Sequence, residues 1–142
     1  MKREVLTYPL SEQQVRAELA HVVEFYLAKG ATTCRVLFGF AWGNKYYPSN
    51  EWFEEDVALI NLSAKVAEVE ATGLGRIGSD DLYLRMDDLE FRFCHDSDIH
   101  ISFITHHPDI EHFNQRWKGL GFKPAEWLKN EQHGPGTKVR DA

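Results

Sequence analysis

A cysteine and a histidine are the residues of this chain whose types could perform covalent chemistry. An aspartate-rich turn at Asp96–Asp98 predicts that Cys94 lies opposite His100 on two antiparallel strands. A thiol beside an imidazole can be activated as a nucleophile. The sequence shows no third orienting group, so chance adjacency is the preferred interpretation. A hydrolase using Cys94 and His100 stays an alternative.

Metal binding is a second kind of chemistry that the histidines and aspartates of segment 95–112 could support. No pair of them has the HExxH spacing or another recognised zinc pattern. Turn formation accounts for Asp96 and Asp98, and the start of a helix accounts for His107 and Asp109. We therefore expect no metal and no cofactor, and a His/Asp metal site is a further alternative.

The glycines from Gly73 to Gly78 match the GxGxxG pattern of dinucleotide-binding folds. That chemistry needs a strand before the glycines and a helix after them, so that the pyrophosphate meets a helix N-terminus. Here a predicted helix precedes the glycines and a predicted strand follows. We therefore expect no nucleotide site.

Acidic residues next to aromatic ones provide the preferred candidate for a protein-binding surface. The net charge is −6, from 22 acidic and 16 basic residues. Such a charge disfavours nonspecific nucleic-acid binding and suits either a basic partner or simple solubility. Helix starts, turns and core packing are the competing roles for these side chains. The predicted partner-binding residues are Trp52, Glu54, Glu55, Asp80, Asp81, Asp87 and Asp88.

Three strands must position most of these side chains. Apolar and polar residues alternate over Leu82–Met86, Leu89–Phe93 and Ile99–Phe103, which predicts an antiparallel meander with one polar face. A two-residue turn at Asp87–Asp88 would pair Arg85 with Glu90. The polar face is the second candidate recognition surface, and its residues are Tyr83, Arg85, Arg92, Cys94 and His100.

Helix signals occur before and after this meander. Ser11 and Gln14 make a capping box that predicts a helix over residues 12–29. The acids of Glu51–Asp56 suit the start of a second helix, which is apolar on two sides and would be buried within the domain or in a homodimer. A short strand at 57–62, followed by a helix from Ser63, is the alternative. Pro108 opens the last helix.

A further strand is predicted from Cys34 to Trp42, where both faces are apolar or small. This pattern indicates a central strand covered on both sides, with Gly39 allowing a close approach. The predicted order is helix, strand, helix, three strands, helix. It indicates the α+β class, with an antiparallel sheet packed against about three helices.

Length and composition set the remaining expectations. The chain has 142 residues, which predicts one globular domain; we place it at 1–128 and expect a polar, mobile tail at 129–142. Cys34 and Cys94 have no CxxC partner, which indicates reduced thiols in a cytoplasmic protein. No apolar run reaches the roughly 18 residues that span a membrane, and no signal peptide is evident.

The segment from Gly73 to Pro124, about a third of the chain, contains the glycine run, the strands of the meander and the sequence from Phe113 to Pro124. It resembles small immunity proteins encoded beside bacterial polymorphic or contact-dependent toxins. The resemblance implies an acidic cytosolic α+β domain that binds and blocks a basic toxin domain, without a catalytic site. It assigns no binding residue. A housekeeping domain that binds a small ligand between sheet and helices is another alternative.

Overall fold

The computed structural model describes residues 2–39, 42, 46–47, 52–129 and 138–141. Within these residues the chain forms three α-helices and a sheet of antiparallel strands. The helices are α1 (Glu12–Ala28), α2 (Leu62–Ala71) and α3 (Pro108–Gly119). The strands are β1 (Lys2–Leu6), β2 (Thr33–Phe38), β3 (Glu55–Ala58), β4 (Leu82–Met86), β5 (Leu89–Phe93), β6 (Ile99–Phe103), β7 (Ala125–Lys129) and β8 (Lys138–Asp141).

Strands β1 to β7 make one sheet, and the backbone of β8 extends it beside β7, in the order β3-β2-β4-β5-β6-β1-β7-β8. The predicted α+β class and the antiparallel meander β4-β5-β6 are confirmed. The turn at Asp87–Asp88 also pairs Arg85 with Glu90, as predicted. Asp87 adopts a φ of 51°, a left-handed conformation that aspartate tolerates in turns.

The register between β5 and β6 differs from the prediction by two residues. Arg92, and not Cys94, lies opposite His100. The turn closes earlier because the amide of Cys94 donates to the carbonyl of Asp98 (2.9 Å), and Ser97 takes a positive φ of 69°. A shift of two residues keeps every side chain on its predicted face, because the side-chain period of a strand is two.

The three helices pack on one face of the sheet. Tyr26 of α1 and Phe113 of α3 both contact the ring of Phe91 on β5, with centroid distances of 6.1 and 5.1 Å. Glu18 of α1 is buried, and it accepts hydrogen bonds from Arg116 (2.8 Å) and from the Trp117 indole (2.9 Å). None of the described helices has the length and apolarity that a membrane span requires.

The predicted helix at 12–29 is confirmed as α1, and the predicted capping box is present between Ser11 and Gln14. The last helix begins at Pro108, as predicted, and the imidazole of His107 caps it by accepting from the amide of Asp109. After α2 the glycine run leads into β4, so the predicted order of helix, glycines and strand holds.

The helix predicted to begin within Glu51–Asp56 is wrong over its described part. Glu55–Ala58 forms strand β3, which pairs with β2. A 3-10 turn at Leu59–Asn61 follows, and the helix begins only at Leu62. Acids suit a strand as well as a helix start here, because Arg35 on β2 lies opposite Asp56 and pairs with it (3.2 Å). The alternative of a strand followed by a helix was the nearer prediction; Glu51 lies outside the described residues.

Strand β2 is interior, but it is not covered on both sides as predicted. Val36 and Phe38 are buried under the helices, whereas Arg35 is exposed on the other face. Gly39 does allow a close approach, because a Cβ there would lie 2.9 Å from the ring of Tyr83. The strand ends at Phe38, and Phe40 of the predicted strand lies outside the described residues.

Two strands, β1 and β7, were missed by the sequence analysis. β1 lies between β6 and β7, with Val5 opposite Ile101 on the core side. Of the tail expected at 129–142, residues 130–137 and 142 lie outside the described residues, and Lys138–Asp141 forms β8.

Candidate functional site

The face of the sheet opposite the helices carries a set of ionisable side chains that we call the polar cluster: Glu4, Arg92, Cys94, Asp98 and His100. All except Arg92 are less than a tenth exposed. The strands β1, β5 and β6 place them side by side, because alternate residues of paired strands share a face. The cluster contains three of the five residues predicted for the second recognition surface.

His100 stands at the centre of the polar cluster, and both of its ring nitrogens face carboxylates. Its Nδ1 lies 2.9 Å from Glu4 Oε1, and its Nε2 lies 3.0 Å from Asp98 Oδ2. Burial alone would lower the pKa of His100, but the hydrogen bonds with Asp98, Cys94 and Glu4 outweigh it and raise that pKa to about 11. At neutral pH His100 is therefore a buried imidazolium held between two carboxylates.

Cys94 is near His100, as predicted, but the surroundings do not activate its thiol. The Nε of Arg92 donates to Cys94 Sγ at 3.0 Å. Burial nevertheless raises the pKa of the thiol, and the contacts with His100 and Arg92 offset this only in part. A protonated His100 has no lone pair with which to accept the thiol proton. The arrangement thus opposes the nucleophilic role considered for Cys94 and His100.

Glu4, the group that orients His100, is absent from the residues predicted from the sequence. The short strand β1 was not recognised, so no third member of the cluster was in view. Ser102 Oγ donates to Glu4 Oε2 (3.1 Å), which completes the bonding of that carboxylate to β6. Lys2–Leu6 reads Lys-Arg-Glu-Val-Leu, which has no apolar–polar alternation, so the sequence carries no signal of period two for this strand.

The other two residues of the predicted face lie outside the cluster. Tyr83 is half-buried next to Gly39. Arg85 is exposed and forms ion pairs with Glu90 (3.2 Å) and Glu54 (3.5 Å). Arg85 therefore belongs to the neighbouring acidic surface.

The second candidate region is the outer edge of β3, which we call the acidic edge: Trp52, Phe53, Glu54, Glu55 and Asp56. Trp52 is 43% exposed and Phe53 is 52% exposed. Glu54 and Asp56 pair with Arg35 on the face opposite the helices, and Glu55 pairs with Lys65 of α2 at 3.3 Å on the other. Of the two acids predicted here, Glu54 is exposed beside the aromatic rings, whereas Glu55 is only partly exposed and packs against Lys65.

Strand β3 has a neighbour on one side only among the described strands. The amide of Leu59 donates to the carbonyl of Thr32 (2.9 Å), so these two opposing residues form a hydrogen-bonded pair. Hydrogen-bonded and non-hydrogen-bonded pairs alternate along an antiparallel ladder. Val57 is then bonded to Cys34, whereas the N–H and C=O groups of Ala58 point away from the sheet. Among the described residues no other strand pairs with these outward groups, so the outer side of β3 presents backbone donors and acceptors next to the side chains of the acidic edge.

The predicted partner-binding acids do not form one surface. Asp87 and Asp88 are exposed in the turn after β4, and Asp87 shares a depression of about 340 Å³ with Arg35, Asp56 and Arg85. These two aspartates thus adjoin the acidic edge.

Asp80 and Asp81 lie at the opposite end of β4, and both are buried. Asp80 accepts from the amide of Arg76 (3.1 Å), and Asp81 accepts from the amide of His95 (2.7 Å). These two acids hold the loops that enter and leave the meander. Their prediction as surface contacts does not fit their burial.

The histidines of segment 95–112 are mostly dispersed. His95 contacts Asp81, His107 caps α3, and His112 lies 2.9 Å from His21 of α1 (Nε2 to Nε2). Asp109 pairs with Lys29. Only one group of three possible ligands converges among the described residues: Cys94, Asp98 and His100, whose ligand atoms lie within 4.8 Å of one another.

The glycine run borders an open cleft whose lining includes charged side chains. The cleft has a volume of about 550 Å³ and is lined in part by Arg16, Glu70, Gly75 and Arg76. Arg16 is paired with Glu70 at 2.7 Å, and Arg76 with Glu12 at 2.8 Å. Arg16 and Arg76, the two cations that a phosphate would need, are therefore already paired with carboxylates.

Comparisons with protein-family models, with curated proteins and with solved structures found no match for this chain.

Proposed function

We propose that the protein neutralises a cognate toxin by binding it directly, as an immunity protein does. The observation that carries this proposal is the acidic edge, where acidic side chains and two exposed aromatic rings lie along a strand whose outer side is paired by no other described strand. The resemblance of the segment 73–124 to immunity proteins supports the same function, and so does the net charge of −6. The partner is a protein with a basic surface, not a nucleic acid or a membrane.

Electrostatics favour a basic partner at this end of the molecule. The acids around β3 and the β4–β5 turn outnumber the bases that pair with them, which are Arg35, Arg85 and Lys65. A surplus of negative charge attracts a basic active-site cleft, speeds association and makes it sensitive to salt. Trp52 and Phe53 supply the apolar contact area that charge alone does not provide.

The backbone of the acidic edge suggests how the partner docks. An extended segment of the toxin can add to the sheet beside β3, bonding to the outward N–H and C=O groups of Ala58. Basic side chains of that segment would then face Glu54 and Asp56. Addition of a strand gives affinity through the backbone, and the charges give the choice of partner.

The cytoplasm is the place of action that we propose. Cys34 and Cys94 are both buried thiols without a disulfide. Unpaired cysteines are usual in reducing compartments, where an immunity protein meets a toxin that has entered the cell.

Proline substitutions on β3 give a sharp test. Ala58 already has a φ of −61°, close to the angle that proline imposes, and its N–H takes no part in the ladder. We expect Ala58→Pro to fold normally and to lose binding to the toxin domain encoded by the neighbouring gene. Co-purification and survival of cells that express the toxin measure the effect. Val57→Pro, which removes a ladder hydrogen bond, is the matched control and should lower stability instead.

Two results would contradict the proposal. One is the absence of any complex between the wild-type protein and the product of the neighbouring gene, with no protection of cells. The other is a complex that Ala58→Pro leaves unchanged, which would remove β3 as the docking strand. A second copy of the chain on the same edge would appear as a dimer in light scattering.

A further inference from the structure

We propose that Cys94, Asp98 and His100 form a zinc-binding site on the face of the sheet opposite the helices. This inference does not depend on the proposed binding of a toxin. It follows from three side chains of ligand type that converge next to a tight turn. Thiolate sulfur, imidazole nitrogen and carboxylate oxygen are the ligands that zinc takes in proteins.

The geometry suits a single ion. The ligand atoms of Cys94, Asp98 and His100 lie within 4.8 Å of one another, and His100 Nε2 is 3.0 Å from Asp98 Oδ2. A tetrahedral zinc ion with bonds of about 2.0–2.3 Å holds its ligand atoms roughly 3.3–3.7 Å apart. Small side-chain rotations therefore bring the three atoms around one ion. Three protein ligands leave a fourth position for water or for a group from outside.

An unsatisfied carboxylate oxygen is the second observation that points to a ligand. Asp98 is 8% exposed, and its Oδ1 has no hydrogen-bond partner among the described residues. A buried carboxylate oxygen without a partner is costly, because the charge has been removed from water without compensation. A cation bound beside Asp98 would supply the missing interaction.

Glu4 gives the site an outer shell. Its Oε1 lies 2.9 Å from Nδ1 of His100, so the proton of that nitrogen faces Glu4. Without the ion, Nε2 carries a second proton that faces Asp98 Oδ2; zinc binding displaces this proton, and Nε2 then ligates the ion. Histidine ligands of zinc commonly donate their other N–H to a carboxylate in this way. Ser102 holds the second oxygen of Glu4 (3.1 Å), which fixes the orientation of the whole arrangement.

The turn between β5 and β6 makes the site local in sequence. Cys94 and Asp98 are opposite each other because the amide of Cys94 donates to the carbonyl of Asp98 (2.9 Å). His100 follows Asp98 on the same face of β6. Asp96 at the tip of the turn is exposed, and its side chain is within hydrogen-bond reach of the Asp98 carboxylate. Arg92, which now donates to Cys94 Sγ at 3.0 Å, must yield the sulfur to the metal.

The hard cations Mg²⁺ and Ca²⁺ do not suit these ligands. Both prefer sets made of oxygen, whereas sulfur and imidazole select zinc and its softer neighbours. The proposal is therefore specific to zinc-like ions, and Mg²⁺ should not compete.

The test uses the full chain and zinc alone, titrated against a chromophoric chelator at neutral pH. We expect one zinc per chain in the wild type and in Cys34→Ser, the control that removes the other buried thiol. Cys94→Ser should bind at least about 100-fold more weakly, and Glu4→Gln about tenfold more weakly. Replacing zinc by Co²⁺ should give a thiolate-to-cobalt charge-transfer band in the wild type that Cys94→Ser lacks.

Absence of stoichiometric zinc binding would overturn the proposal. Zinc that stays bound in Cys94→Ser would also overturn it, since the ion would then sit on other residues such as His21 and His112. If Cys94→Ser does not fold, the wild type still decides the matter. Zinc should protect Cys94 from alkylation, mapped by mass spectrometry, while leaving Cys34 unaffected; equal rates for Cys94 with and without zinc contradict the site.

Discussion

The polar cluster and the acidic edge contain the same kinds of ionisable side chain, but they are suited to different roles. In the cluster, Glu4 and Asp98 are buried, and both carboxylates face His100 at hydrogen-bond distance. At the edge, Glu54 and Asp56 are exposed, and they share Arg35 through longer contacts of 3.8 and 3.2 Å. The type of charge does not distinguish the two regions. Burial and the completeness of pairing do.

This difference decides what each region can contribute. Buried ion pairs are costly to break, because removal of one partner leaves an uncompensated charge out of water. Exposed pairs contribute little to stability and exchange partners readily, because water and salt screen them. The cluster is therefore suited to holding a fixed geometry, and the acidic edge is suited to meeting a new partner.

The largest effect that can test this comparison is the loss of the central cation of the polar cluster. We expect His100→Ala to lower the free energy of unfolding by about 3–5 kcal/mol, because Glu4 and Asp98 would be left buried without it. Glu54→Gln at the acidic edge should change that free energy by less than about 0.5 kcal/mol. Urea unfolding followed by circular dichroism measures both. Equal losses in the two variants would remove the distinction between the regions.

A smaller effect is expected from the buried aspartates at the far end of β4. Asp81→Ala should cost about 1–3 kcal/mol, because the amide of His95 loses its acceptor. It should leave affinity for the proposed toxin partner unchanged, since Asp81 is 8% exposed. Asp87→Asn, in the exposed turn beside the acidic edge, is the matched control: asparagine tolerates the left-handed conformation of that position, so only the charge is lost and the variant should do the reverse. If Asp81→Ala instead weakened the complex and left the melting curve normal, Asp81 would belong to the binding surface.

The smallest effect concerns the histidine pair between α1 and α3, His21 and His112, whose ring nitrogens face each other and, unlike those of His100, face no carboxylate of the described residues. Burial, reinforced by Arg116, lowers the pKa of both His21 and His112 from 6.5. The unfolded chain therefore binds more protons below pH 6.5, and stability should fall as the pH drops through that value. Melting temperatures from about pH 7.5 to about pH 5.5 measure the slope.

His112→Phe is the control for this pH dependence. It keeps a ring stacked on Phe25, where the centroids are now 4.1 Å apart, and removes the titrating group. The slope of melting temperature against pH should become shallower. An unchanged slope would assign the acid sensitivity to other groups.

The parts of the fold that the sequence predicts correctly are those with strong local signals. The capping box at Ser11 and the apolar alternation of the meander each depend on neighbours within a few residues. Strands β1, β3 and β7 depend on distant partners, and their sequences lack the regular apolar–polar alternation that marks the equally short strands of the meander. The acidic residues around the start of β3 also resemble the start of a helix. Carboxylates in such a run can be stabilised either by a helix dipole or, as here, by an arginine on the neighbouring strand.

The candidate sites follow the same division. Cys94 and His100 could be brought together from the pattern of β5 and β6, because two neighbouring strands share a turn. Glu4 could not, because its strand joins β6 from the other end of the chain. The roles of Asp80 and Asp81 depend on burial, which a run of acids next to a glycine-rich turn does not reveal. Sequence spacing finds pairs, and long-range topology decides what surrounds them.

The position of β1 has a consequence for the order in which the chain can fold. Its residues bond to strands that appear late in synthesis, and the contact from Glu4 to Ser102 spans 98 residues. Closing so long a loop costs entropy before any pairing repays it, and such contacts slow folding. Until β6 has formed, β1 has no place in the sheet, and β7 has no strand to join. Insertion of β1 is thus the step that links the two parts of the sheet, and we expect it to come late.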